Sequence, residues 1–179
     1  MLRKLLISLS LPFTIQAQIN SVEIYGINKF QNSDFVSTTM ILKKLYNFQI
    51  CTALRTIEVS ISENIESTEL NNKINGSQNF SFDKNKPIKI YLTKSNLMLN
   101  GQKVCGVSFG NSIYINTKMK FRLKTTLVHE ISHSLGLKHC ENICIMNVKY
   151  NPNKLSKIWD NKNDRPIFCK SCEKQLYRK

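Results

Sequence analysis

Histidine is scarce in this chain of 179 residues: there are three. Glycine (6) and proline (4) are also few, which excludes collagen-like and low-complexity architectures. No internal repeat appears, so a solenoid is excluded as well. No apolar run approaches the roughly 20 residues that a membrane-spanning helix needs. Acids are outnumbered, 12 against 26 Lys and Arg, giving a formal charge of +14. Such a balance favours anionic partners: nucleic acid, an acidic envelope or acidic substrates. The basic residues are nevertheless scattered. Their densest run, Lys118, Lys120, Arg122 and Lys124, has no interleaved stacking aromatics, which argues against nucleic-acid binding as the main role. Hydrophobic residues make up 41%, enough for one domain with a sizeable core.

All three histidines fall within eleven residues, His129-Glu-Ile-Ser-His133-Ser-Leu-Gly136-Leu-Lys-His139. The pattern H-E-x-x-H-x-x-G-x-x-H is that of a three-histidine zinc site with a built-in base. His129 and His133, four apart, lie on one helix face and can grip one ion. Glu130 lies about 100° further round, where it can hold a water rather than the metal. Gly136 ends the helix by a left-handed turn, and His139 arrives as third ligand. Three protein ligands leave a position open, the mark of a catalytic zinc. Thr125 and Thr126 start the helix, and Leu127, Val128, Ile131 and Leu135 give it apolar surface. A zinc-binding or sensing protein without chemistry would have no need of Glu130.

Cysteines form the second constellation. Of six, four make two close pairs, Cys140-x-x-x-Cys144 and Cys169-x-x-Cys172. Two such pairs suit a closed, structural four-thiolate zinc site. Disulfides are the alternative, since an exported protein meets oxidising conditions. Cys51 and Cys105 stand outside any motif, as two buried thiols or one disulfide.

From His129 to Met146, with Cys169-x-x-Cys172 beyond, the chain resembles the archaemetzincins, a branch of the metzincin zinc peptidases. The resemblance rests on the histidine motif followed directly by Cys140, then Cys144, Ile145, Met146, and Phe168 before the last pair. It departs in spacing: three residues separate Cys140 from Cys144 where the family usually has four, and the stretch from Met146 to Cys169 is longer. The resemblance implies an α+β fold: a metzincin-like mixed twisted sheet with an antiparallel edge strand, an active-site helix, and a small C-terminal zinc-stabilised subdomain. It implies that Met146 is the Met-turn residue beneath the catalytic metal, and that residues 104–109 form the edge strand above the cleft. It also implies two zinc ions, a peptide or protein substrate, and hydrolysis by a zinc-bound water that Glu130 activates. Tyr150 lies four after Met146 and reads as packing rather than as a transition-state group.

At the N-terminus, Arg3 and Lys4 precede an apolar run from Leu5 to Ile15, with Ala17 as a small cleavage residue. This reads as a signal peptide over 1–17, implying a secreted or periplasmic protein; a first strand in a cytoplasmic protein is the alternative. Removal of 1–17 leaves a charge of +12. No cysteine stands near the run, which argues against a lipid anchor. Residues 18–136 are then the N-terminal catalytic subdomain and 137–179 the C-terminal one, in a monomer. Along the chain, Val22–Ile27 reads as a strand, and Ser33 and Asp34 cap a helix over 35–48 with Val36, Met40, Leu42, Leu45 and Phe48 apolar. Ile57, Val59 and Ile61 alternate as a strand, as do Ile88, Ile90 and Leu92. Residues 71–85 read as a loop. Residues 104–109 and 112–116 make a hairpin about Gly110 and Asn111. Residues 151–165 read as a loop or short helix.

Overall fold

Three strands carry the pattern that builds the core: β1 (Val22–Ile27), β4 (Ile88–Thr93) and β8 (Ser112–Asn116). Residues two apart share a face of a strand. Val22, Ile24, Ile88, Ile90, Leu92, Ile113 and Ile115 therefore enter one apolar cluster, while Ile27, Tyr91 and Tyr114 enter another on the opposite face. The computed structural model describes residues 21–28, 30–46, 50–76, 81–83, 85–147 and 158–177. The proposed leader, Phe48 and Tyr150 lie outside them, as does the side chain of Cys51.

These strands run parallel, and β2 (Ile50–Ile57) extends the sheet beside β1. The far edge is β7 (Gly106–Phe109), antiparallel to β8, which gives the order β2-β1-β4-β8-β7. Helices α1 (Asn32–Tyr46) and α3 (Leu123–Ser134) cover the first face through Leu42, Leu45, Leu127, Val128 and Ile131. The second face carries α2 (Ser67–Asn75) and a smaller sheet of β3 (Asn64–Glu66), β5 (Asn96–Leu99) and β6 (Gln102–Val104), in the order β3-β5-β6. The chain ends in a short ribbon, β9 (Trp159–Asp160) with β10 (Arg165–Pro166), and α4 (Lys170–Tyr177). Leu137, Ile145, Met146, Trp159 and Phe168 bury in the same cluster as α3. The segment after Gly136 thus shares one core with the sheet.

A buried polar network ties α2 to the sheet. Tyr25, Tyr91 and Tyr114 stack across three neighbouring strands, with centroids 5.1 and 4.8 Å apart. The Tyr91 hydroxyl donates to Asn75 Oδ1 (3.1 Å), Asn75 Nδ2 donates to the Tyr114 oxygen (2.8 Å), and the Tyr114 hydroxyl donates to Asn71 Oδ1 (2.9 Å). Burial pushes the Tyr91 hydroxyl up to about 12 and raises Tyr114 as well, so both remain neutral partners.

Several expectations need correction. The first helix begins at Asn32, with Ser33 and Asp34 inside it; Val36 and Met40 are exposed and Leu42 and Leu45 buried. The strand near Ile57 ends there. Val59 lies beyond it because the Asn28 side chain takes both its main-chain groups, at 2.8 and 2.9 Å. Residues 71–75, read as loop, finish α2: Asn71 and Asn75 point inward to the tyrosines, which disguises the buried face. Residues 104–109 are not one strand, since Val104 ends β6 and Gly106 opens β7. The hairpin at Gly110 and Asn111 is present, with Gly110 at φ 58°.

Asn75→Ala removes the partner of Tyr91 and one partner of Tyr114. It is expected to lower unfolding free energy by about 1–3 kcal/mol, read as a lower urea midpoint with unchanged slope.

Candidate active site

The helix α3 begins earlier than Thr125. A 3₁₀ turn at Lys120–Arg122 leads directly into Leu123, which is buried and lengthens the apolar stripe. The Thr125 hydroxyl donates to the Arg122 carbonyl at 3.0 Å instead of capping. At the other end, Gly136 (φ 89°) takes the left-handed conformation. Its N–H bonds to His133 O (2.8 Å), and the Leu137 N–H bonds to Ser132 O (2.9 Å). This double bond pattern closes a helix while reversing the chain, and it brings His139 back over α3.

The three imidazoles converge. His129 Nε2 lies 3.1 Å from His133 Nε2 and 3.2 Å from His139 Nε2, and His133 and His139 are 2.9 Å apart. On the outer side, His129 Nδ1 meets Ile145 O at 2.7 Å and His133 Nδ1 meets Leu137 O at 2.8 Å. A carbonyl only accepts, so each Nδ1 carries the proton and each Nε2 turns a lone pair inward. Burial holds His129 down to about 4 and lowers His133 and His139 too, keeping the rings neutral at pH 7. Lone pairs aimed at one point fit a cation. Tetrahedral zinc bound by nitrogen at about 2.0–2.1 Å sets its ligands roughly 3.3 Å apart, close to what is seen.

Glu130 is buried, 7% exposed, and lines the same cleft of about 800 Å³ as the three histidines. Burial raises its carboxyl to about 8, against a lowering hydrogen bond from Ser108. Ser108 lies on β7, which packs tightly on α3. A Cβ on Gly106 would come within 2.6 Å of Thr126 Cγ2 and 3.0 Å of Glu130 Cγ. The Asn116 N–H bonds to Cys105 O at 2.9 Å, so residues 105, 107 and 109 turn their main-chain groups inward to β8. By the alternation of antiparallel ladders, Gly106 and Ser108 present theirs to the cleft.

The four cysteines of the paired motifs also converge. Neighbouring sulfurs are 3.1 Å (Cys140–Cys144), 3.5 Å (Cys169–Cys172) and 3.9 Å (Cys140–Cys169 and Cys144–Cys172) apart, all within 4.8 Å, and none is bonded to another. Zinc–sulfur bonds of about 2.3 Å place thiolates roughly 3.8 Å apart. The group fits a tetrahedral ion. Cys105 is also a free thiol, at the rim of the cleft. Met146 is wholly buried in the turn after Cys144, and its carbonyl accepts from the Cys140 N–H at 3.1 Å.

The structure brings together the three histidines and the four paired cysteines that the sequence motifs single out. Those motifs did not reveal Gly106 and Ser108, whose signal was two small residues alternating on the helix-facing side of a strand, nor that Arg122 enters the cleft.

No curated protein matches the chain. Its fold is similar to the crystal structure of archaemetzincin from Methanopyrus kandleri at 16% identity, covering 91% of this chain and 96% of that one, with a TM-score of 0.59. It is also similar to archaemetzincin from Archaeoglobus fulgidus complexed with malonate, at 18% identity, covering 87% and 99%, with a TM-score of 0.59. Residues 44–178 match the model of Peptidase family M54, and the chain accordingly belongs to that family of metallopeptidases, the archaemetzincins.

Proposed function

We propose that this metallopeptidase cleaves peptide bonds at a zinc held by His129, His133 and His139, with Glu130 as the proton carrier. The observation that supports it is the meeting of three imidazole Nε2 atoms in one cleft with a buried glutamate carboxyl group. Zinc bound there supplies a Lewis acid that polarises the scissile carbonyl and acidifies a water. Glu130 takes the proton of the attacking water and passes it to the leaving amine. A cation at the histidines would oppose the burial that raises this carboxyl and return it to the ionised form that takes a proton. Met146 fills the floor below the histidines. A second, structural zinc sits on Cys140, Cys144, Cys169 and Cys172. Residues 18–136 thus supply two ligands and the base, and residues 137–179 the third ligand and the thiolates. Residues 1–17 direct export, and metal-bound thiolates would be protected from oxidation outside the cell.

An extended substrate pairs antiparallel with β7, using the outward main-chain groups of Gly106 and Ser108. Burial in the crowded β7–α3 contact leaves no room for a side chain at 106.

Glu130→Gln is expected to keep zinc and lose about 10²-fold or more in kcat; metal analysis beside a peptide assay checks it, and retained turnover would remove Glu130 from the mechanism. Elemental analysis of the purified wild type should give two zinc ions per chain, His133→Ala one, and Cys172→Ala one with a lowered melting temperature. A single ion in the wild type, with oxidised cysteines, would replace the second site by disulfides. Gly106→Val should push β7 off α3, raising KM for peptides while two zinc ions stay bound.

A further inference from the structure

The basic run from Lys118 to Lys124 comes apart in the fold. Lys118 Nζ lies 3.2 Å from Glu63, Lys120 Nζ donates to Gln31 Oε1 at 3.1 Å, and Lys124 pairs with Asp164. Arg122 goes elsewhere. It is half-buried and lines the cleft with Thr125, Thr126 and His129, its guanidinium 3.6 Å from Cys105 Sγ. Among the described residues lining the cleft, Arg122 is the permanent cation and Glu130 the acidic side chain.

Position decides what Arg122 meets. It precedes His129 by seven residues, two helical turns, so both look out along one wall. That separation is about 10 Å along the axis, or roughly three residues of extended peptide. Cys105 meets Arg122, Gly106 meets Thr126 and Glu130, and Ser108 meets Glu130. β7 and α3 therefore advance in the same sense. A peptide antiparallel to β7 travels the other way, and its residues beyond the scissile bond move toward Arg122.

We propose that Arg122 forms a carboxylate-binding subsite for substrate two or three residues on the C-terminal side of the cleaved bond. The planar guanidinium matches a carboxylate in a two-bond fork. The carboxylate comes from an acidic side chain or from the substrate's own C-terminus. This inference rests on the peptidase reading and the strand pairing above.

The test uses zinc-loaded full-length protein and one neutral peptide sequence in three forms. One is amidated with Gln at the first three positions after the cleaved bond. The second is amidated with Glu substituted there, one position at a time. The third has neutral side chains but ends at the third position in a free carboxylate. The wild type should show kcat/KM about tenfold or more higher for a carboxylate form, and the responding form tells side chain from terminus. Arg122→Gln should bring the ratio near one, and Arg122→Lys should leave it intermediate. Equal wild-type rates on all forms, or a preference that survives in Arg122→Gln, would overturn the subsite. Zinc content and melting temperature identify a misfolded Gln variant, in which case the Lys variant decides. If the wild type cleaves no form, the peptidase reading fails separately. Fluorescence anisotropy with labelled Glu, Gln and free-carboxylate peptides then judges the subsite: about tenfold tighter carboxylate binding that Arg122→Gln abolishes upholds it, and equal binding removes it.

Discussion

Two carbonyl oxygens fix the chemistry of this fold. Ile145 O and Leu137 O hold Nδ1 of His129 and His133 at 2.7 and 2.8 Å, and so aim both Nε2 lone pairs inward. Acceptors at 3.1 Å with no proton between them repel. The arrangement makes sense as a preformed cation cradle, its cost met by packing elsewhere. Second-sphere contacts of this kind orient metal ligands and raise their basicity. Both carbonyls belong to the segment that follows α3, so the imidazoles on that helix cannot be oriented without the return of the chain. Gly136 makes that return possible, through the closing pattern that it alone among these residues accepts without strain.

The sulfur cluster acts on the same segment. His139 and Cys140 are neighbours, the Cys140 N–H is bonded to Met146 O, and the Ile145 N–H is bonded to Ile167 O. Asn147 Nδ2 adds bonds to Glu141 O and Asn142 O at 3.0 and 2.9 Å. Four thiolates drawn to one ion would lock both ends of the 140–147 loop to the start of α4. That lock fixes where Ile145 O sits and where His139 enters. The two clusters are thus mechanically joined: a structural ion would hold the carbonyl that sets the tautomer of a catalytic ligand.

Legibility in the sequence followed the strength of local patterning. The convergence of the three histidines and of the four paired cysteines was readable because metal geometry would impose strict spacing. β1, β4 and β8 were readable because apolar residues alternate along them, with Val22, Ile24, Ile88, Ile90, Ile113 and Ile115 facing one buried cluster. α2 was not, because its inward residues Asn71 and Asn75 are polar and satisfied by tyrosine hydroxyls from the distant strands β4 and β8. β3, β5 and β6 are three or four residues long, too short for periodicity to register. Val36 and Met40 misled in the opposite direction, being apolar yet exposed on α1. Pattern could not tell which of four alternating basic residues turned inward, since the choice depends on Glu63, Gln31 and Asp164, each far off in the chain.

The spacing differences from the usual archaemetzincin pattern are absorbed where they cost least. One residue fewer between Cys140 and Cys144 still leaves their sulfurs 3.1 Å apart, because a tight loop held by the Asn147 amide closes the pair. The longer stretch before Cys169 costs little, since closure entropy grows only with the logarithm of loop length. No such freedom exists between His129 and His139. Helical pitch fixes the first two imidazoles, the reversal at Gly136 takes a set number of residues, and one added residue would carry the third imidazole away from the other two. Variation is therefore tolerated around the sulfur cluster and barred within the histidine motif, which is why eleven residues suffice to bring three imidazoles together.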